Sequence, residues 1–374
     1  MKVSLDCVYY VGEKPCRYKR PCDGCPEYTP MGTRVLIIKL AAIGDVIRTT
    51  SIITGLKKKY GNPHVTWITD AAAAQLLKET DGIHRLLTYD LGSILFVMSQ
   101  RFDVLICLDK EPRATALACL ASADEKLGFT HSPEGSLTIF NPESRYALRL
   151  GLDDPLKFHE NTKSYPEIVY EACGIPYEGQ DYRVALNGED LRWAEALFRE
   201  EGITPNGKRP LIGLNTGAGP VFTHKSWTRQ GFAGLARSLV QETGATVLLL
   251  GGRLEVERNR YIQEASGGVA AVIGGEQTLG QFAAMLSLLD IIVTGDTMAL
   301  HLAVGLSIPT VAIFGPTSHS EVDLFGRGEK VISTIDCAPC YRSGCEKDPH
   351  CMDAISIQEV LAAILRVMGN NRRT

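Results

Sequence analysis

The sequence predicts an α/β protein built from two doubly wound halves. From residue 34 onward, apolar runs typical of buried strands alternate with helical stretches in two successive series. Residues 291–318 combine an apolar strand, a Gly-Asp-Thr turn, a helix, a second strand and a Gly-Pro-Thr turn. Such turns at the carboxyl ends of parallel strands collect backbone N–H groups, which favours a phosphate-bearing ligand.

Size and composition narrow the class of protein. The 374 residues are enough for two domains with buried cores, and 22% charged with 45% hydrophobic residues is ordinary for a soluble globular protein. The net charge of -4 argues against a general nucleic-acid binder. The first residues lack the apolar core of a signal peptide, and no stretch has the length of a membrane span. We expect a cytoplasmic protein with membrane contact that is peripheral at most.

The first half of the chain contains an extension and a domain. Residues 1–32 are rich in Cys, Pro, Lys and Arg and show no helical or strand period, so we expect a Cys-rich N-terminal extension. The N-terminal domain is predicted at residues 33–182. Its predicted strands are residues 34–40, 64–68, 84–88, 103–108 and 125–129.

A polar segment separates the two halves. Residues 183–208 contain one amphipathic helix and end in a Pro/Gly-rich turn, which is typical of a linker. The C-terminal domain is predicted at residues 209–352, followed by a closing helix and tail at 353–374, with the helix at 353–367. Its predicted strands are residues 210–215, 245–250, 269–273, 289–294 and 309–314.

The first strand leads through residues 41–44 into Asp45, where a helix begins. Only one glycine lies in this turn, so the G-x-G-x-x-G fingerprint is missing, and the chain contains no G-x-x-x-x-G-K-[ST] loop. Both findings disfavour a dehydrogenase or a P-loop enzyme. On position alone, a helix N-cap is the commoner use of Asp45. The functional alternative is a cleft carboxylate that accepts the proton of an attacking hydroxyl.

Polar residues also follow two strands of the second half. Thr216 and Gly217 come at the end of the strand 210–215, and Lys225 precedes the next helix. A cation beside a glycine-rich strand end suits a diphosphate, although a solvated loop charge is the ordinary alternative. Glu255 follows the next strand, where an acidic side chain can bind ribose hydroxyls; position alone does not separate this role from a surface charge.

Five separated segments together resemble the ADP-heptose–lipopolysaccharide heptosyltransferases of glycosyltransferase family 9. The segments are IIKLAAIGDVIRTT, THKSW, GGRLE, GDTMALHLAVGLSIPTVAIFGPTS and CAPCYRSGCEKDPHCM, and the likeness covers about residues 33–365 in order and spacing. The resemblance implies a GT-B fold, in which two Rossmann-like domains face a cleft with the acceptor on the N-terminal half and the nucleotide sugar on the C-terminal half. It also implies an inverting enzyme that needs no catalytic metal.

The resemblance implies roles for three charged residues. Asp45 falls on the family's proposed general base, Lys225 on the lysine that binds the donor diphosphate, and Glu255 on the acidic residue near the donor ribose. The expected reaction is a single in-line displacement in which Asp45 takes the proton of an acceptor hydroxyl. Lys225 would then stabilise the departing nucleotide diphosphate.

The resemblance also covers the helix that follows the Gly-Asp-Thr turn. Asp296, Thr297 and His301 match the family's donor-site pattern D-T-G-x-x-H, and Thr317 matches its G-P-T turn. Without the resemblance, a lone His among Ala and Leu is more typical of a core position. Met298 stands where the family usually has glycine, and its side chain crowds the helix N-terminus. This departure leaves the donor sugar open.

Three functions follow from these observations. The leading hypothesis is transfer of a heptose from ADP-heptose to a lipopolysaccharide inner-core acceptor. The second keeps the fold but changes the nucleotide sugar or the glycolipid acceptor. The third is a catalytically silent GT-B binding module, against which the retained Asp45 and Lys225 argue.

Eight of the 11 cysteines form two sets at opposite ends of the chain. The sets are Cys7, Cys16, Cys22 and Cys25, and Cys337, Cys340, Cys345 and Cys351. Each set supplies four thiols with one C-x2-C pair, which suits tetrahedral zinc and would fix a segment with little core of its own. Structural zinc is the hypothesis; iron–sulfur ligation, reduced thiols and a site shared by the two sets stay open.

Basic residues indicate where an anionic acceptor or membrane could bind. Arg17, Lys19, Arg20 and residues 57–59 could attract a glycolipid or the inner leaflet, with ordinary solvated charge as the alternative for each. Arg113 comes just after the strand 103–108. We expect it to face the cleft and to bind the acceptor.

Overall fold

The computed structural model describes residues 2–182, 184–205, 207–219, 222–342 and 344–371. Two six-stranded sheets form its framework, which confirms the predicted α/β class. The first sheet contains β1 (Arg34–Ile38), β2 (His64–Thr69), β3 (Arg85–Thr88), β4 (Arg101–Cys107), β5 (Ser122–His131) and β6 (Leu137–Ile139). The second contains β7 (Leu211–Asn215), β8 (Thr246–Leu250), β9 (Ala270–Val272), β10 (Ile291–Gly295), β11 (Thr310–Phe314) and β12 (Gly328–Ile332). Every predicted strand is present.

Helices connect and cover the strands. Those of the first half are α1 (Ile43–Thr49), α2 (Ile52–Tyr60), α3 (Ala71–Leu77), α4 (Leu91–Met98), α5 (Pro112–Leu120), α6 (Arg145–Arg149) and α7 (Tyr165–Ala172). Those of the second half are α8 (Gly188–Glu200), α9 (Arg229–Thr243), α10 (Val256–Ala265), α11 (Leu279–Ser287), α12 (Met298–Gly305) and α13 (Ile357–Asn371). Within the described part of the chain, no helix combines the length and apolar character needed to cross a membrane.

The strand orders place the ligand-binding edge of each sheet. The orders are β3-β2-β1-β4-β5-β6 and β12-β11-β10-β7-β8-β9. The winding therefore reverses between β1 and β4 in one sheet and between β7 and β10 in the other. At such a switch point the loops after the strands diverge and leave room for a ligand. The loops after all four of these strands line one shared cavity.

Two strands were not predicted. β6 has three residues and pairs antiparallel with β5, so the first sheet is not wholly parallel. β12 has the sequence GEKVI and is only partly buried. Neither strand has the continuous apolar run that indicates a buried parallel strand.

Side-chain alternation along β1 produces two cores, one on each face of the first sheet. Val35 and Ile37 pack in the core that contains α1 and α2 residues, whereas Leu36 and Ile38 pack in the core that contains α4 and α5 residues. Because successive strand residues point to opposite faces, the run of four apolar residues requires helices on both sides. This layering holds the loop after β1 at the cleft.

The predicted linker is largely part of the second domain. Its helix is α8, whose buried Ala194 and Phe198 pack in the same core as residues of α11 and α12. Asn187 caps α8 by accepting the Asp190 N–H at 2.8 Å. The closing helix α13 also packs on this domain, with Val360 in a core shared with α9. The helix within the predicted linker 183–208 therefore packs against the second domain.

Candidate active site

A cavity of about 1140 Å³ lies between the two domains. Most of the residues predicted for catalysis or donor binding line it, from both sides: Asp45, Gly217, Lys225, Glu255, Asp296, Thr297 and His301. The predicted base of the N-terminal domain and the predicted diphosphate-binding lysine of the C-terminal domain thus share one cleft.

Gly44 sets the distance between the domains beside the predicted base. A Cβ atom at Gly44 would lie 2.5 Å from Cδ2 of His301, which is closer than such atoms can approach. Only glycine therefore allows α1 to approach α12 this closely. A second contact joins the domains at the cleft, where the Phe158 and Tyr341 rings stack with centroids 5.3 Å apart and planes at 10°.

Asp45 lies in the first turn of α1 but is not its N-cap. The N-cap is Ala42, so the capping interpretation of Asp45 is wrong. Oδ1 of Asp45 accepts a hydrogen bond from Arg48 Nη2 at 2.6 Å, and Oδ2 lies 3.9 Å from Lys39 Nζ. Burial raises the pKa of the Asp45 carboxyl, but the Arg48 and Lys39 charges together hold that pKa below its ordinary value. Asp45 is therefore an ionised carboxylate at neutral pH.

Lys39 supports this turn and was not predicted. It is 4% exposed, and its Nζ lies 3.4 Å from Asp109 Oδ2 and 2.5 Å from the carbonyl oxygen of Ala41. Asp109 Oδ2 also accepts the N–H groups of Leu40 and Ala41, at 2.9 and 3.1 Å. Burial opposes ionisation of Asp109, but Lys39 and backbone N–H groups lower its pKa. A lysine inside the apolar run 34–40 was the available sequence signal.

Lys225, Asp296 and His301 form a charged group on the opposite wall. Lys225 Nζ lies 3.2 Å from Asp296 Oδ2, and His301 Nε2 lies 3.6 Å from Asp296 Oδ1. Burial raises the pKa of Asp296, but the hydrogen bond with His301 and the Lys225 charge bring it well below its ordinary range. Burial, followed by the charge of Arg48, lowers the pKa of His301. A neutral imidazole therefore lies beside an ammonium–carboxylate pair.

Glu255 lies where the loops after β7 and β8 meet. Its Oε2 accepts the N–H of Gly252 at 2.8 Å. A Cβ atom at Gly217 would lie 2.4 Å from Glu255 Oε1, so glycine is required for this approach. Both Gly217 and Glu255 line the cleft, where a carboxylate can accept hydrogen bonds from sugar hydroxyls.

Comparison with known proteins identifies the family. The sequence profile of glycosyltransferase family 9 (heptosyltransferase) matches residues 96–350, which is more than half of the chain. The chain belongs to this family. The lipooligosaccharide heptosyltransferase 2 of Haemophilus ducreyi is 25% identical over 331 residues, which cover 81% of this chain and 89% of that protein.

Solved structures of this family have the same fold. The family 9 glycosyltransferase from Veillonella parvula has a TM-score of 0.73 at 20% identity and covers 90% of this chain and 97% of that one. The E. coli ADP-heptose lps heptosyltransferase II has a TM-score of 0.65 at 19% identity, with 91% and 100% covered. These likenesses confirm the predicted GT-B arrangement.

Three residues predicted for the site of this glycosyltransferase do not line its cleft. Thr216 is buried and donates its hydroxyl to Asn259 Oδ1 at 2.5 Å. The Thr317 hydroxyl is also buried and has no hydrogen-bond partner among the described residues. Arg113 forms ion pairs with Asp70 and Glu111, at 3.2 and 2.5 Å, outside the cavity. The expectation that Arg113 faces the cleft is therefore wrong, because nearby carboxylates hold its guanidinium.

Other cations occupy the N-terminal wall of the glycosyltransferase cleft. Lys110 and Lys157 both line the cavity. Lys110 Nζ donates to the carbonyl oxygen of Ala147 at 2.9 Å, and burial followed by the Lys157 charge lowers the pKa of Lys110. Lys157 Nζ lies 4.0 Å from the centroid of the Tyr341 ring. These two lysines, which sequence reasoning missed among many surface lysines, replace Arg113 as candidates for binding an anionic acceptor.

The cysteine sets of the glycosyltransferase each bring thiols together, without a disulfide among them. The N-terminal set lines one small cavity, and all eight cysteines are free thiols. Throughout the described ranges, no group of three or more His, Cys, Asp or Glu side chains is placed so that it could hold a metal ion. The zinc hypothesis thus gains no geometric support and stays a prediction.

Proposed function

We propose that this glycosyltransferase moves a heptose from ADP-heptose to a sugar of the lipopolysaccharide inner core, with inversion at the anomeric carbon. The observation that carries the proposal is that Asp45 and Lys225, from different domains, line one cleft. The relatives named above, which are heptosyltransferases acting on lipooligosaccharide or using ADP-heptose, support this choice of donor and acceptor.

The reaction is a displacement at one carbon. The acceptor hydroxyl oxygen forms a bond to the anomeric carbon while the bond from that carbon to the diphosphate oxygen breaks, and ADP leaves with the electron pair. Asp45 accepts the hydroxyl proton. Because Arg48 and Lys39 lower its pKa, Asp45 is a weak base. Proton transfer is therefore late, when the attacking oxygen has become acidic through its bond to an oxocarbenium-like carbon.

The opposite wall stabilises the leaving group. The Lys225 ammonium lies beside Asp296, which fixes its position before the donor arrives. Charge that develops on the diphosphate then meets a cation already in place, which is the most effective form of electrostatic catalysis. Thr297 is the N-cap of α12, so the first N–H groups of that helix are available to a phosphate oxygen. Glu255 accepts the ribose hydroxyls of the donor.

Met298 favours a second candidate, in which the enzyme uses a different nucleotide sugar or acceptor. Its side chain lines the cleft at the first position of α12 and reduces the space near the donor. A thermal-shift series with ADP-linked and UDP-linked sugars separates the candidates. Stabilisation by UDP-linked sugars alone would exclude ADP-heptose as the donor.

Donor hydrolysis measured with and without acceptor tests whether the protein is an enzyme or a silent binding module. We expect release of ADP that accelerates when a heptose-accepting core oligosaccharide is added. We also propose that catalysis needs no metal, so the rate should survive EDTA. Binding of ADP-heptose without turnover under any of these conditions would favour the silent module.

A further inference from the structure

Helix α4 exposes large apolar side chains on the surface of the N-terminal domain. Leu91 is 72% exposed and Leu95 is 58% exposed, and Phe96 and Met98 are also exposed. The helix has the sequence LGSILFVM, without a charged residue, and only Val97 is buried. A surface helix normally presents polar residues to water. A contiguous apolar patch of this kind marks an interaction site.

Two arginines border this patch. The Arg85 guanidinium lies over the Phe96 ring, 4.8 Å from its centroid, and Arg34 Nη2 donates to Gln100 Oε1 at 3.3 Å, just beyond the end of α4. Among the described residues, neither guanidinium forms an ion pair. Both arginines line a cavity of about 470 Å³. Burial, followed by the charge of Arg34, lowers the pKa of Arg85, so an anion between the two cations would relieve their repulsion.

The acidic residues of this region are engaged elsewhere. Asp90 caps α4 by accepting the Ser93 N–H at 2.8 Å, and Asp103 accepts the backbone N–H of Arg34 at 2.6 Å. Asp6 lines the same cavity and accepts the Tyr28 hydroxyl at 2.5 Å. Asp124 pairs with Arg101. None of these four carboxylates forms an ion pair with Arg34 or Arg85, so an external anion can still bind the two guanidinium groups.

The patch runs along α4, from the carboxyl end of β3 to the start of β4. Helix α4 begins where β3 ends, and beside its N-cap the Tyr89 hydroxyl donates to the carbonyl oxygen of Arg113 at 3.2 Å. It ends before β4, beside the arginine-lined cavity. Leu5 of the N-terminal extension is 71% exposed and lines that cavity, which continues the apolar surface. A flat surface against α4 would therefore also reach the cavity that Arg34 and Arg85 line.

We propose that the exposed face of α4, Leu5, Arg34 and Arg85 form a docking surface for a membrane that contains anionic phospholipid. The apolar side chains enter the headgroup boundary, and the guanidinium groups bind lipid phosphates. Apolar and cationic groups on one face fit a negatively charged bilayer better than a neutral protein surface. The proposal rests on the proposed function in one respect: the membrane would carry the lipid-linked acceptor, and the enzyme would lie on the cytoplasmic face of the inner membrane.

The basic residues first suggested for this contact fit less well. Lys57 pairs with Asp81 at 2.7 Å, and Lys58 pairs with Glu178 at 2.5 Å. Arg17 lies against the rings of Tyr9 and Tyr18. None of these cations adjoins the α4 patch through a contact in the described structure.

Vesicle flotation of the full chain without substrates tests the proposal. We expect binding to vesicles of phosphatidylethanolamine with phosphatidylglycerol, weakening as salt is added, and no binding to pure phosphatidylcholine vesicles. Leu95→Glu should reduce binding by at least about tenfold because it places a charge in the apolar face. Arg85→Gln should reduce it by about fivefold, the share of one basic residue near an anionic surface. Val269→Glu, at an exposed apolar position of the second domain, is the matched control and should bind like wild type.

Transfer to a soluble, delipidated core oligosaccharide is measured in parallel and should be unchanged in all three variants. Equal flotation of Leu95→Glu and wild type, equal binding to both kinds of vesicle, or no binding at all would overturn the proposal. So would a wild-type dimer that Leu95→Glu converts to monomers, because a second copy would then cover the patch. Vesicle binding without transfer of heptose would contradict the proposed function and leave the docking surface standing.

Discussion

Replacing Asp45 with Asn is the most direct test of the proton-transfer step. The amide keeps the size of the side chain, and its Oδ1 can still accept the Arg48 hydrogen bond that is 2.6 Å long in the wild type. It cannot accept the acceptor's proton. Loss of a general base typically costs about 10² to 10⁴ in rate, or roughly 3 to 5.5 kcal/mol of barrier. We expect kcat to fall by this amount.

The donor KM should change little in this variant, because Gly217, Lys225 and Glu255 belong to the opposite domain. Initial rates of ADP release, with donor and acceptor varied separately, give both constants. The wild-type rate should decline only below the ordinary pH range of carboxyl titration, since the Asp45 pKa is lowered, and the variant should lack this decline. Its unfolding free energy should fall by about 1 to 3 kcal/mol, because buried Arg48 loses its ionic partner.

Asp81→Asn is the matched control, since Asp81 forms an exposed ion pair with Lys57 and should be dispensable for both rate and stability. Turnover of Asp45→Asn within about twofold of wild type, a change far below the loss expected for a base, would refute the role of Asp45. A normal acid decline of the rate in that variant would refute it as well.

Four further predictions follow from the same geometry. Lys225→Gln should lower kcat about 10²- to 10³-fold in the ADP-release assay, because the leaving diphosphate loses the cation proposed to stabilise it. An unchanged kcat would show that Lys225 has no role in the mechanism. Gly44→Ala should lower the unfolding free energy by about 1 to 3 kcal/mol in urea titrations, because the new Cβ would collide with His301. Gly369→Ala is the control, since a Cβ there meets no atom within 4 Å, and it should not lower the stability. Equal stability of Gly44→Ala and wild type would contradict the described contact between the domains. Asp109→Asn should cost about 3 kcal/mol at neutral pH because buried Lys39 loses the nearer of its two carboxylate partners. Because the pKa of Asp109 is lowered, this stabilisation is lost as pH falls through that pKa, and the urea curves of variant and wild type should converge in acid; a gap that persists there would point to another cause. If the cysteine sets bind structural zinc, elemental analysis of purified protein should find zinc. A preparation with neither zinc nor iron would exclude metal binding by these cysteines.

The sequence predicted the framework well because burial leaves a periodic pattern. Continuous apolar runs identified the central strands of both sheets, and the loops that follow them supplied most of the cleft residues. The edge strands β6 and β12 lack such runs, since an edge strand is covered on fewer sides. Helix α8 was recognised, but its packing partner was not, because an amphipathic pattern shows that a helix has an apolar face without showing what covers it.

The direction of a loop side chain was harder to predict than its position. Thr216 follows a strand end as Gly217 does, yet its hydroxyl points into the domain toward Asn259. Arg113 lies after β4 as expected, but Asp70, which is far away in sequence, and Glu111, which is near, hold it outside the cleft. The contacts of Thr216 with Asn259 and of Arg113 with Asp70 join residues far apart in the chain, and a single sequence does not reveal such contacts.

Arg48 forms hydrogen bonds in both domains. Its guanidinium pairs with Asp45, and its Nη1 also donates to the backbone carbonyl of Glu321 in the other domain, at 3.3 Å. Separation of the domains would break the second bond and free the arginine to move away from the carboxylate. Because Arg48 lowers the pKa of Asp45, the carboxylate would be a stronger base in an open molecule than in the closed one. Closure of the domains therefore weakens the base and at the same time holds its side chain in one position through the Arg48 hydrogen bond.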